Sequence, residues 1–300
     1  MKPMHVLVTG GTGFVGRRLS ARLRARGNAV TVVSREPRDL PNGVASAAWG
    51  SVTDDSGLLE RVDAIVNLAG EPVAQRWTDA AKARIVSSRR DAIEKLAKGI
   101  AKAGRRPAAV VNASAVGYYG NRGNEELSEE SAPGTGFLAE TTVAWEAATK
   151  AFEDLGLRTV RIRIGVVLGK EGGALSKMLL PFRMGLGGPV GSGDQFMSFI
   201  SAEDLVSLLV YALDHETARG SWNGTAPNPV TMDEFVRTLG SVLGRPAVLP
   251  VPSFALKLAL GEMAAILLEG QRVLPKHPLA AGFTFAHPTL RSALKAEIEP

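Results

Sequence analysis

Short apolar runs alternate along this chain with stretches in which apolar side chains recur every three or four positions. His5 to Thr9 is such a run and ends in glycines. Val15, Leu19 and Leu23 follow at helical spacing, and Gly27 and Asn28 close that helix. Val30 to Val33 reads as a second, β-branched strand. Val44 to Trp49, Ala64 to Leu68, Pro107 to Ala113 and Arg158 to Ile164 read as a third to a sixth, with helical stretches between them. Strands alternating with helices predict an α/β fold, a doubly wound parallel sheet covered on both faces. After about residue 170 the pattern loosens, and Gly172, Gly173, Gly185, Gly187, Gly188, Gly191 and Gly193 punctuate helices with few clear strands.

The bulk composition narrows the class. Of 300 residues, 45% are hydrophobic and 22% charged, enough apolar side chain for a core. The net charge of +5 gathers on Arg17, Arg18, Arg22, Arg24 and Arg26 of one early helix and on Arg105 and Arg106. No docking motif accompanies it, so solvated helix faces are expected rather than nucleic-acid binding. There is no cysteine, which excludes disulfides and thiolate metal sites and fits a reducing compartment. His5, His215, His277 and His287 share no metal-ligand spacing, so no metal is expected. Asp54-Asp55 reads as an acidic turn capping a helix. The opening MKPMHVLVTG runs directly into a strand, with no room for a signal peptide, and Phe254 to Leu268 is too short and polar to span a bilayer. A cytoplasmic protein without a membrane partner is expected.

The candidate chemistry begins at Val8 to Gly16, VTGGTGFVG, which has a strand before it and a helix after it. In that context Gly10 permits a tight turn, Gly13 lets amides approach a pyrophosphate and Gly16 lets helix and strand pack closely. This is a dinucleotide-binding (Rossmann) arrangement. It assigns 1–170 to a dinucleotide-binding domain, to which segments around 196–228 return, and 171–300 to a smaller, mostly helical substrate-side and C-terminal domain. The end of the second strand selects the coenzyme. NAD-preferring folds place an acid about 20 residues beyond the glycines; here Ser34-Arg35-Glu36 puts a guanidinium there, 19 residues after Gly16. A guanidinium grips a 2′-phosphate that a carboxylate would repel, so NADP(H) is expected over NAD(H).

With these residues in view, the chain resembles the extended short-chain dehydrogenase/reductases, in their NAD-dependent epimerase/dehydratase branch. TGGTGFVG has the form that branch uses. Similar family elements are Asn67-Leu68-Ala69-Gly70, the serine-bearing Ala113 to Gly120, Arg163 to Gly169 and Phe199 to Leu205. NLAGEPVAQRWT, AWEAA, RIGVVLG, GTAPNPVT, GEMAAILLEGQRVLP and AGFTF together resemble the YfcH-like epimerase subfamily over essentially the whole chain. The resemblance implies hydride chemistry on a small polar or nucleotide-sugar-like substrate. It also implies a coenzyme held by Gly10, Thr12, Gly13, Phe14, Val15, Ser34, Arg35, Leu68, Ala69, Gly70, Ser114 and Gly165.

The resemblance breaks at the acid–base pair, a tyrosine with a lysine four residues on, neighbours on one helix face. Aligning Phe137 or Leu138 with the tyrosine leaves Thr141 or Thr142 for the lysine, so neither phenol nor ammonium is supplied. Four substitutes are candidates for catalysis. Ser114 either bonds a substrate oxygen or ties up a strand end. Tyr118 and Tyr119 either bring a phenol or serve packing. Glu140 either works as an acid–base group in a closed pocket or is a solvated helix glutamate. On the substrate side, Glu71 follows the coenzyme-binding turn, Arg76 could clamp an anion and Trp77 could wall a pocket; Lys82 and Arg89 are weaker candidates. A non-catalytic NADP(H)-binding redox sensor is the alternative to an enzyme.

Overall fold

The protein is described from a computed structural model covering residues 3–54 and 57–299. Seven parallel strands form its main sheet: β1 (His5–Thr9), β2 (Ala29–Ser34), β3 (Ala45–Ala48), β4 (Ala64–Asn67), β5 (Ala109–Ala115), β6 (Arg158–Ile164) and β7 (Gly220–Gly224). Their order is β7-β6-β5-β4-β1-β2-β3. The winding reverses between β1 and β4, and ligands of such sheets bind where that reversal opens a crevice at the carboxyl ends of the strands.

Both faces of the strands are apolar, because each is covered. Val6 and Val8 of β1 pack with Leu19 and Leu23 of helix α1 (Phe14–Ala25), and Leu7 packs on the opposite side with Ile93, Leu96 and Ile100 of α2 (Asp79–Lys102). All of these side chains are fully buried. Helix α3 (Phe137–Ala148) lies beside α2. Toward their carboxyl ends β1, β4 and β5 exchange apolar contacts for a polar ladder. Thr9 donates to Asn67 Oδ1, and Asn67 Nδ2 donates to Asn112 Oδ1 over 2.6 Å. The ladder fixes the register of the loops that leave these three strands.

The later part of the chain has its own core, built on α4 (Gly173–Arg183), α6 (Met232–Leu243) and α7 (Leu290–Ile298), while α5 (Ala202–Asp214) packs back on α1. Polar anchors join the two parts. Asp204 at the start of α5 accepts the backbone N–H groups of Ala286 at 2.7 Å and His287 at 3.0 Å. Arg18 of α1 donates from both terminal nitrogens to Glu297 of α7, at 2.8 and 3.0 Å. Among the described residues no helix is long and apolar enough to cross a membrane.

Two local expectations shift. The fifth strand begins at Ala109 rather than Pro107, since proline has no N–H for the ladder. Asp54 ends the short helix Gly50–Thr53 instead of starting one, and accepts from Thr53 Oγ1; Asp55 lies outside the described residues.

Candidate functional site

A cleft of about 430 Å³ opens at the β1/β4 reversal. Its floor is the glycine turn, with Gly10, Thr12 and Gly13 exposed to it. Gly10 has φ +66°, and a side chain there would meet the Leu68 carbonyl at 2.6 Å, so only glycine fits. Gly16 closes the turn: a Cβ would lie 2.4 Å from the Gly10 carbonyl oxygen. Helix α1 starts from Gly13 with no side-chain cap and no acidic residue in its first turn. Its free N–H groups and positive dipole end therefore suit an anion.

One wall is the end of β2. Arg35 is exposed and lines the cleft, whereas Glu36 does not; the Glu36 carbonyl instead accepts the Ser34 hydroxyl at 2.8 Å. The register thus presents the guanidinium, not the carboxylate. Trp49, after β3, stands at the same end, and Lys95 Nζ of α2 lies 5.5 Å from its ring centroid. The other wall is Leu68, Ala69, Gly70 and Glu71 after β4. Trp49, Ser88, Asp91 and Lys95 were not singled out by sequence. Their signal is the spacing Ser88, Asp91, Lys95, one turn apart along α2, which reads as an ordinary solvated face until the fold turns it into the cleft.

The other residues expected to hold coenzyme are placed differently. Phe14 and Val15 contribute first-turn amides, but the Phe14 ring is wedged against the end of the strand Val166–Gly169 and the turn after it: a Cβ at Gly169 or Gly172 would strike it at 2.1 and 2.5 Å. Gly165 also turns away from the cleft. Its N–H donates to the Gly224 carbonyl, and a Cβ would meet the Ser198 carbonyl oxygen at 2.4 Å. Its role is close backbone packing.

The catalytic candidates need correction. Ser114 is buried, and its hydroxyl donates to Glu146 Oε1 at 2.6 Å. Glu146 receives two further bonds from Arg163, Nε at 2.8 Å and Nη2 at 2.9 Å. Arg163 Nη1 donates to the Tyr119 hydroxyl at 2.9 Å, which in turn donates to Asn223 Oδ1 at 2.7 Å. Ser114 and Tyr119 are therefore members of a closed polar network between β5, β6, β7 and α3, with no hydroxyl presented to a ligand. Burial would discharge Arg163, but the bonds and charge of Glu146 outweigh it and hold the guanidinium above its ordinary pKa. Tyr118 is half-buried, its ring 3.5 Å from the Arg163 guanidinium carbon. Glu140 is exposed on the outer side of α3, so the enclosed carboxyl considered for it does not exist.

The residues of the two possible registers of the missing pair take different surroundings. Leu138 and Thr142 face the turn at Gly117, whose Cβ would lie 3.2 Å from Leu138 Cβ and 3.7 Å from Thr142 Oγ1. Phe137 instead meets Trp77 edge-on, ring centroids 4.9 Å apart. Trp77 is half-buried with its indole N–H bonded to the Val73 carbonyl, Arg76 is exposed, and Lys82 pairs with Glu262 of the C-terminal part. Trp77 and Phe137 thus form an aromatic corner, with Lys82 Nζ 5.5 Å from the Phe137 ring centroid.

Two expected outcomes follow from the network. Burial pushes the Tyr119 pKa from 10.0 up to about 12, against the opposing effects of Arg163. Below pH 10 the phenol keeps its proton in both states and its contribution is complete. As pH climbs toward about 12 the unfolded chain ionises first, so stability falls across that window by about 2–3 kcal/mol. Urea melts should show Tyr119→Phe lacking this alkaline component; parallel curves for the two proteins would contradict it. For Ser114→Ala, loss of one charge-assisted bond should cost about 1.5–3 kcal/mol of stability and leave nucleotide affinity unchanged; calorimetry on the variant checks both.

Against this geometry, a family model described as the NAD dependent epimerase/dehydratase family matches residues 6–223. The chain belongs to that family. A second model, a domain of unknown function (DUF1731), matches residues 251–297. Bovine epimerase family protein SDR39U1 is 44% identical over 98% of this chain and 100% of its own length. YfhF, an epimerase family protein of Bacillus subtilis, is 39% identical, covering 97% of each. The crystal structure of human SDR39U1 (isoform 2) with NADPH superposes with a TM-score of 0.90 at 40% identity, covering 99% of each chain. The sheet order and the helical C-terminal region are those of this family's fold.

Proposed function

We propose that the cleft binds NADP(H) and that the protein is an oxidoreductase or epimerase acting by hydride transfer on a small polar, nucleotide-sugar-like substrate. The observation that carries the coenzyme choice is Arg35, exposed at the end of β2 and lining the cleft, which Glu36 does not line. The NADPH in the structure of the human relative supports the same reading. The residues fit the coenzyme: an uncapped helix N-terminus and bare glycines for the pyrophosphate, Arg35 for the 2′-phosphate, and Trp49 beside Lys95 at the adenosine end. When bound, the nicotinamide supplies hydride exchange. The chain's own residues orient it and exclude water, with the Trp77–Phe137 corner and Glu71 bounding the substrate side.

No phenol–ammonium pair is available on α3 to move the accompanying proton, since it offers Phe137 with Thr141 in one register and Leu138 with Thr142 in the other. The sequestration of Ser114 by Glu146 and of Tyr119 by Arg163 and Asn223 favours a second reading, a nucleotide-binding sensor without turnover. Titration calorimetry with NADPH and NADH, followed by an absorbance assay of NADPH consumption over carbonyl compounds and nucleotide sugars, separates the two. Tight NADPH binding with turnover supports the enzyme, binding without turnover the sensor, and no binding of either nucleotide rejects both.

A further inference from the structure

Behind the Gly70 wall of the cleft lies a second cluster of polar groups that nothing above uses. Arg89 of α2 is 9% exposed, yet among the described residues no carboxylate comes within 4 Å of it. Its Nη1 donates only along its own helix, to the Ile85 carbonyl at 2.8 Å. Burial lowers its pKa to about 10, partly offset by the charge of Glu71. A buried guanidinium ordinarily has an anionic partner, because desolvating it unpaired is costly. The guanidinium sits 4.8 Å from the centroid of Trp145. Trp145 is 7% exposed and its indole Nε1–H has no partner; Thr141, one turn earlier on α3, is 7% exposed and its Oγ1 has none either. Gly70 completes the arrangement. Gly70 itself lines the cleft, and a Cβ there would press on the Arg89 side chain at 3.2–3.4 Å, so only the bare backbone of this residue separates the cleft from that edge of the guanidinium.

We infer that Arg89, Trp145 and Thr141 form a subsite for an oxyanion of the substrate, a carboxylate or a phosphate, reached past Gly70. This rests on reading the cleft as the coenzyme and substrate site. The coenzyme's own phosphates are served by the α1 N-terminus and Arg35, on other elements. The subsite lies instead between α2 and α3, and α3 is the helix that the family resemblance matches to the one bearing the acid–base pair. A fixed cation there would seat the substrate's charged group, in a chain where residue 142 supplies no ammonium.

The test uses the full chain saturated with NADPH and follows the four tryptophan indole N–H resonances by heteronuclear NMR, with the Trp145 signal identified from Trp145→Phe. Malonate and inorganic phosphate are titrated separately against sodium chloride at equal ionic strength. The inference expects one of the two anions to move the Trp145 signal saturably; whichever does identifies the source of the oxyanion. It expects Arg89→Met to weaken that response at least tenfold while NADPH affinity stays within about twofold of the parent. Thr141→Val, which leaves Arg89, Trp145 and the lining of the coenzyme cleft unchanged, should weaken it several-fold and carries the test if Arg89→Met does not fold. No response to either anion, an equal response in both variants, or a parallel loss of NADPH affinity in Arg89→Met overturns the subsite. Failure of the unmodified chain to bind NADPH is seen directly in the calorimetry and counts against the coenzyme reading instead.

Discussion

Arg35→Asp is expected to weaken NADPH binding by on the order of a hundredfold while changing NADH binding by no more than a few-fold. The substitution removes a charge-assisted contact worth about 1.5–3 kcal/mol and puts a carboxylate beside the 2′-phosphate. The added repulsion carries the total to roughly 3 kcal/mol. NADH has no 2′-phosphate, and aspartate there can accept its ribose hydroxyls. Side-by-side titrations of the variant with both nucleotides measure the ratio. Equal losses for the two would show that Arg35 serves the common adenosine part, and the coenzyme assignment would fall.

The second large effect is on stability. Glu146 and Arg163 side chains are 11% and 5% exposed, and two hydrogen bonds join them. Glu146→Ala leaves the guanidinium buried without its carboxylate, which should destabilise the fold by about 3–5 kcal/mol. The double variant Glu146→Leu with Arg163→Met removes both charges and should recover a substantial part of that loss, because apolar replacements of a buried pair are often nearly neutral. Denaturant melts of the single and double variants decide it. A double variant as unstable as the sum of its single changes would mean that the pair has no special coupling.

The contrast between these two residues explains what the sequence could disclose. Arg35 was legible because the features that define its role are local: a strand, a glycine turn, a helix and a second strand in order. Glu146 was not, because its partner is 17 residues away and the two meet only through the sheet. Ser114 stands opposite Arg163 in the β5–β6 register, and that pairing delivers both to the same carboxylate. Sequence could locate the serine without showing which way its hydroxyl points. The seventh strand was hidden for a related reason. GSWNG at 220–224 has one large apolar side chain among glycines and polar residues, and is a strand because β6 offers it an edge. Periodicity finds elements that bury their own faces; it misses those recruited by a neighbour.

The residues matched by the family model of unknown function, 251–297, do not hang free of the nucleotide fold. Glu297, near the far end of the chain, grips Arg18 one turn into the helix that follows the glycine turn. The same carboxylate accepts the backbone N–H of Lys170, at the loop whose glycines clasp Phe14. Head and tail of the polypeptide are therefore latched at one knot. A chain shortened before Glu297 would strip Arg18 and Lys170 of the carboxylate they share.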